Sequence, residues 1–247
     1  MNAAPESQVA LLDLQALDTG LDRLAARRRS LPELEEIAGL TGSLERARSD
    51  IVAAHTEADD LGREQNRLER EVDLVRTRAD RDRTRLDAGQ VSSPRELENL
   101  QSEIESLGRR QTALEDELIE VMERRELADE REGALRQEQG RAQAQRGDAE
   151  RRRDEAFAAI DAEAARVRAE RAELAGGLPR DLVALYDRLR GAGGGVGAAA
   201  LLRRRCQGCH LELSGADLMA ARQAADDEVL RCEECGRILV RTGDSGL

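Results

Sequence analysis

The chain has 247 residues, of which 36% are charged and 1% aromatic, with one Phe, one Tyr and no Trp. Aromatic side chains bury the most apolar area, so this composition excludes a large compact core of the ordinary kind and points to long helices. A net charge of −12 gives no bulk attraction for phosphate backbones, so any nucleic-acid contact has to be local.

The N-terminus, MNAAPESQVALLDLQ, lacks the basic stretch and apolar run of a signal peptide. No apolar stretch approaches the ~20 residues needed to span a bilayer. A cytoplasmic protein without membrane contact is expected, in a compartment that keeps thiols reduced.

A first helix carries Ala10, Leu14, Leu17, Leu21 and Leu24, and Pro32 interrupts its phase. From Ile37 the apolar positions step by three and four through Leu44, Ala47, Ala54, Ala58, Leu61, Leu68, Val72, Ala79 and Leu86, with polar Gln65 and Asp82 on the same count. Spacing sustained this long is a coiled-coil seam. Gly89 ends this arm, and Ser93-Pro94-Arg95-Glu96 opens the next. Ser at the N-cap, Pro at the first helical position and Glu at the third read as a capping box. The seam resumes through Leu97, Leu100, Ile104, Leu107, Leu114, Leu118 and Val121, weakens between Arg125 and Arg153, and partly returns at Ile160, Val167 and Leu174.

Two long arms joined by a few residues fold back on each other. With the turn near 88–94, residue i faces roughly 182−i, and the N-terminal helix faces 152–174. Each arm then has a partner within one chain, so a monomer is expected ahead of a parallel homodimer. The longer arm, at ~1.5 Å per residue, reaches roughly 120 Å. The expected division is a hairpin over 1–177, a short amphipathic helix and glycine-rich hinge over 178–200, and a small domain over 201–247. The hinge, GAGGGVG, lacks the Lys-Ser/Thr that grips phosphate and magnesium.

Cys206-x-x-Cys209, an interval of 22 residues, and Cys232-x-x-Cys235 come close to zinc-ribbon spacing, with an interval slightly longer than usual. Each C-x-x-C turns tightly enough for two thiolates to meet one ion, and four thiolates select Zn²⁺ or, as the lesser alternative, iron. Such a site has no open position for substrate, so the ion is structural and the chain is expected not to be an enzyme. It compensates for a segment too short to bury enough apolar surface alone. His210 could substitute as a ligand, but with four Cys available it is expected to be exposed or hydrogen-bonded. HLEL and RILVR, after the two pairs, alternate as short strands.

Arg203, Arg204 and Arg205 precede the first knuckle, and Arg231, Arg237 and Arg241 flank the second. They form a candidate phosphate-contacting patch. Glu212, Glu233, Glu234 and the run Asp226-Asp227-Glu228 oppose it, and no aromatic residue is there to stack on a base.

The hairpin with VSSPRELENLQSEIESL at its turn, LPRDLVALYDRLR after it, and CQGCHLELSGADL … LRCEECGRILV at the end resembles the bacterial C4-type zinc-ribbon family. The resemblance covers nearly the whole chain. It implies a mainly α fold, an extended antiparallel coiled coil carrying a zinc ribbon with short β-strands. It carries over to Cys206, Cys209, Cys232 and Cys235 as ligands, and to the turn residues Ser93, Pro94, Glu96 and Leu97. Relatives in flagellated or type III-secreting bacteria look like adaptors for secretion components, an alternative sigma factor or an mRNA. The expected function is therefore a non-enzymatic adaptor or chaperone-like scaffold. Its partner-docking tip would comprise Ser93, Pro94, Arg95, Glu96, Leu97 and Glu98. The alternative is an RNA- or DNA-binding regulator acting through the arginines around the ribbon.

Overall fold

The structure, a computed structural model, describes residues 1–247. Four helices come first: α1 (Pro5–Arg29), α2 (Pro32–Asp87), α3 (Pro94–Gly176) and α4 (Arg180–Ala192). A small mixed region follows, with strands β1 (Ala198–Leu202), β2 (Arg205–Cys206), β3 (Leu230–Arg231) and β4 (Ile238–Val240), and helix α5 (Gly215–Gln223) between β2 and β3. The mainly α fold with a small strand region agrees with the sequence reading. No helix is long and apolar enough to cross a membrane.

By contacts the chain forms two compact units, one of residues 35–150 and one joining residues 1–34 to 151–247. The first unit is the coiled-coil hairpin. Its seam buries Leu44, Ala47, Ala54, Ala58, Leu61, Leu68, Val72, Ala79 and Asp82 from α2, all on the expected count, against Leu100, Leu114, Val121 and Ala128 from α3. Near the turn the arms pair as expected: Arg78 bonds Glu103, and Arg110 lies 3.5 Å from Glu71. Farther along, His55 meets Glu132 and Arg125 meets Gln65, up to about two turns beyond that register. Glu132 sits in the stretch where the apolar count lapses, and it is buried there.

At the turn Gly89 has φ +64°, the left-handed conformation that a chain reversal after a helix requires. The capping box differs in one bond. The Glu96 N–H donates to Ser93 Oγ at 3.2 Å, but the Glu96 carboxylate reaches past the N-cap to the N–H and hydroxyl of Ser92, at 3.0 and 2.8 Å. These bonds, led by the Ser92 backbone N–H, hold the Glu96 carboxyl below the usual carboxylate range. Leu97, placed on the seam by its spacing, is 38% exposed.

The second unit contains the sheet, ordered β2-β1-β4-β3, with β1 and β4 parallel and the outer pairs antiparallel. Successive strand residues point to opposite faces. Ala198, Ile238 and Val240 therefore pack with Leu11, Leu14, Leu182 and Tyr186 of α1 and α4, while Ala199, Leu201 and Leu239 pack with the cysteines. The AAALL run of β1 lies in a segment assigned to the linker and the first residues beyond it. It carries no alternation because both faces are covered. HLEL forms no strand, only one bridge between Arg205 and Glu212, whereas RILVR contains β4.

The glycine-rich segment, expected as a hinge, is bonded into this unit. Gln15 donates to the Gly195 carbonyl at 2.9 Å and accepts from the Gly197 N–H at 2.7 Å. A Cβ on Gly197 would lie 2.6 Å from the Tyr186 carbonyl oxygen, so only glycine fits this approach. Gln15 and Asp18 are buried polar residues on α1, and Tyr186 donates to Asp18 at 2.7 Å while Arg171 of α3 donates at 2.9 and 3.3 Å. The Leu14–Leu24 seam was legible. The second buried stripe of α1, Gln8, Leu11, Gln15 and Asp18, was not. Its three-and-four spacing was a readable signal, but polar residues on it disguise a packed face.

Candidate metal centre

Two β-hairpin knuckles build the site. A β-hairpin leads into the first: Leu202 pairs with Arg205, leaving Arg203 and Arg204 as a two-residue turn with φ +44° and +66°. Those signs belong to the type I′ turn, whose twist matches its flanking strands but which favours Asn and Gly. Their N–H groups donate to the Asp244 and Ser245 carbonyls at 2.9 and 2.8 Å, which ties the turn to the chain's last residues. Cys206 follows on β2, buried, and Cys209 closes the knuckle, half-buried.

The chain then reverses by a bond that recurs in both knuckles. The His210 N–H donates to the Cys206 carbonyl at 2.7 Å, and the Gly236 N–H to the Cys232 carbonyl at 2.8 Å. The Gly208 N–H also points at Cys206 Sγ, 3.4 Å away. The result brings four thiols together: Cys206 Sγ lies 3.9 Å from Cys235 Sγ, Cys209 Sγ lies 3.9 Å from Cys232 Sγ, and all four are within 4.8 Å of one another.

This donor set fits zinc. Tetrahedral Zn–S bonds of about 2.3 Å put sulfur atoms about 3.8 Å apart. Cys206, Cys209, Cys232 and Cys235 are the ligands of one structural zinc. The bound ion would cross-link the two knuckles and complete its coordination on protein sulfur alone. Burial pushes the Cys206 thiol up, and pushes Cys232 up to about 12. Burial also raises Cys235, but hydrogen bonds from the Arg237 backbone and from Cys232 and Cys209 outweigh it and bring that thiol down to about 7. His210 is exposed and stands outside the cluster of ligand atoms.

The six arginines of the candidate patch separate into two kinds. Arg203, Arg204, Arg205 and Arg231 are exposed, with Arg231 donating to the Gly236 carbonyl at 2.8 Å and Arg204 to the Gly246 carbonyl at 3.3 Å. Arg237 is half-buried and donates to the carbonyls of Val196, Gly208 and Gly193 at 3.1, 2.9 and 2.8 Å. Arg241 donates to the carbonyls of Ala224, Ala225, Asp226 and Glu228 at 2.7–3.1 Å. These two guanidinium groups hold loops together and face carbonyls rather than solvent. The sequence shows a flanking arginine, not the loops that fold over it.

Comparison with known proteins bears on both units. Residues 14–194 match the CT398-like coiled coil hairpin domain, and residues 205–239 the C4-type zinc ribbon domain. An uncharacterized protein of Mycobacterium tuberculosis is 40% identical over 241 residues, covering 98% of each chain. One from Mycobacterium leprae is 34% identical over 229 residues, covering 91% of this chain and 96% of its own. A solved structure from Mycobacterium smegmatis has a TM-score of 0.83 at 33% identity, covering 98% of this chain and 100% of that one. CT398 from Chlamydia trachomatis has a TM-score of 0.71 at 19% identity, covering 96% of this chain and 98% of its own, a likeness of fold alone.

Proposed function

The chain belongs to the CT398-like coiled coil hairpin family and carries a C4-type zinc ribbon, and on that premise we propose that it is a non-enzymatic scaffold whose hairpin tip docks a protein partner. The observation that carries this reading is the construction of the tip. The Ser92–Glu96 bonds fix the turn, while beside them a shallow hollow of about 400 Å³ opens among Leu86, Val91, Pro94 and Leu97. A half-exposed leucine at its end stabilises a helical hairpin less than a fully buried one would. A partner surface gains an apolar anchor with polar neighbours, Arg95 and Glu98, around it.

The test replaces Arg95 and Glu98 with Ala and Leu97 with Ser, leaving Ser92, Ser93 and Glu96 to hold the turn. Partner capture from the native host should fall at least tenfold with helicity unchanged and Tm lowered by no more than a few degrees. Unchanged capture would sink the reading.

A second reading, RNA or DNA contact, is favoured by one observation. Arg203 and Arg204 occupy left-handed turn positions that Gly or Asn fills at less cost, and they point to a use for two exposed guanidinium groups beside Arg205 and Arg231. It requires salt-sensitive binding of an oligonucleotide that drops when Arg203, Arg204 and Arg205 become Ala. No binding at low salt by the zinc-loaded chain disposes of it.

A further inference from the structure

Beside the thiol cluster, on the ribbon's outer sheet edge, lies a cavity of about 280 Å³ between α5 and the segment 228–234. Its floor is apolar, from Leu213, Ala221, Leu230 and Leu239. Its rim carries Glu212, Glu228, Glu233 and Glu234, all exposed, with Asp217 beside them and a single cation, Arg231, whose guanidinium donates to the Gly236 carbonyl at 2.8 Å, so the lining is net negative. A four-thiolate zinc centre next to it, with a formal charge of −2, adds to the negative field.

The wall is an open strand. β3 is last in the sheet order, so only one of its sides faces β4. The Cys232 N–H donates to the Arg237 carbonyl at 3.0 Å. In an antiparallel ladder bonded and non-bonded pairs alternate, so the N–H and carbonyl of Arg231, paired with Ile238, face away from β4. The same edge already takes an added strand just upstream: Val229 donates to the Met1 carbonyl at 3.0 Å, and Ala3 to the Asp227 carbonyl at 2.7 Å. Open edges with alternating side-chain sites are where extended peptides add as a further strand.

We propose that this cavity receives an extended segment of a protein partner, added along β3, with an aliphatic residue in the cavity and Arg or Lys against the rim carboxylates. The occupant follows from charge. Phosphate-bearing ligands are repelled by the rim, and an acidic peptide would bring like charges together. A basic-aliphatic peptide satisfies floor, rim and edge at once. This site is independent of the hairpin tip and does not rest on the tip being a docking surface.

The test titrates the zinc-loaded full chain with three labelled heptapeptides, RLRVRLR, RSRSRSR and ELEVELE, and with a single-stranded RNA, following fluorescence anisotropy. RLRVRLR should bind at least tenfold more tightly than RSRSRSR, with no binding of ELEVELE, and should slow hydrogen exchange at the Arg231 amide. Two variants keep the test independent of folding accidents. Ala220→Trp, on the exposed face of α5 lining the cavity, should abolish binding by filling it. Glu212→Arg with Glu228→Arg should weaken binding at least tenfold with zinc content unchanged. Equal affinity for RLRVRLR and RSRSRSR, RNA as the tighter ligand at this edge, or indifference to Ala220→Trp would each overturn the proposal.

Discussion

His210 and Gly236 occupy the same place in the two zinc knuckles and the same left-handed conformation, with φ +63° and +70°. Each donates its N–H to the carbonyl of the first cysteine of its knuckle. His210 stands outside the cluster of ligand atoms, and the left-handed region costs a residue with a Cβ about 1–2 kcal/mol. His210→Gly should keep one zinc per chain and stay within about 1 kcal/mol of the parent, because relief of strain is offset by the extra freedom of glycine when unfolded. Gly236→Ala should destabilise the ribbon by about 1–2 kcal/mol. Zinc titration with a colorimetric chelator and thermal melts check both. Loss of zinc in His210→Gly would make His210 a ligand.

Arg237 closes the glycine segment onto the first knuckle through three carbonyls. Arg237→Ala leaves these acceptors without their donor and should cost about 2–4 kcal/mol. Zinc affinity should fall with it in chelator competition. Stripping zinc from the parent chain should speed hydrogen exchange in β1–β4 and α5 while the amides of residues 35–150 keep their protection.

Tyr186 is fully buried and donates to Asp18. Burial first, then the bond to Asp18, pushes its phenol above the ordinary tyrosine range. A phenol harder to ionise in the folded than in the unfolded chain contributes stability fully present below pH ~10 and lost progressively as pH rises beyond it. As Tyr186 is the single tyrosine, its ultraviolet phenolate band reports this alone. The band should stay silent near pH ~10 and rise only together with loss of helicity. Phenolate formation at pH ~10 in a fully helical chain would contradict the packing.

Asp82 is a carboxylate on an otherwise apolar seam position and is buried there. Asp82→Leu should raise stability by about 0.5–2 kcal/mol, read as a higher Tm. A lower Tm would mean that Asp82 fixes the register of the arms.

The hairpin was legible because a seven-residue repeat reports a long helix directly, and the turn because Gly89 and Ser93-Pro94 mark a helix end and start. The four ligands were legible because C-x-x-C spacing is local. What remained hidden depends on packing between distant segments. The glycines at 193–197 read as a loose hinge until Gln15 and Arg237 close on them. Arg241 reads as a surface charge until the 224–228 loop folds over its guanidinium. Ala198, Ala199 and Ala200 read as the end of the linker because a strand covered on both faces has no alternation to display.

The scaffold reading rests on the hairpin tip, and a photo-crosslinking residue placed at position 97 in the native host tests it most directly. The account requires a discrete, nuclease-resistant protein adduct at position 97 that is lost when Arg95 and Glu98 are replaced by Ala and is absent with the crosslinker at exposed Val52. Adducts equally abundant at positions 97 and 52, or recovered only with intact nucleic acid, would contradict it.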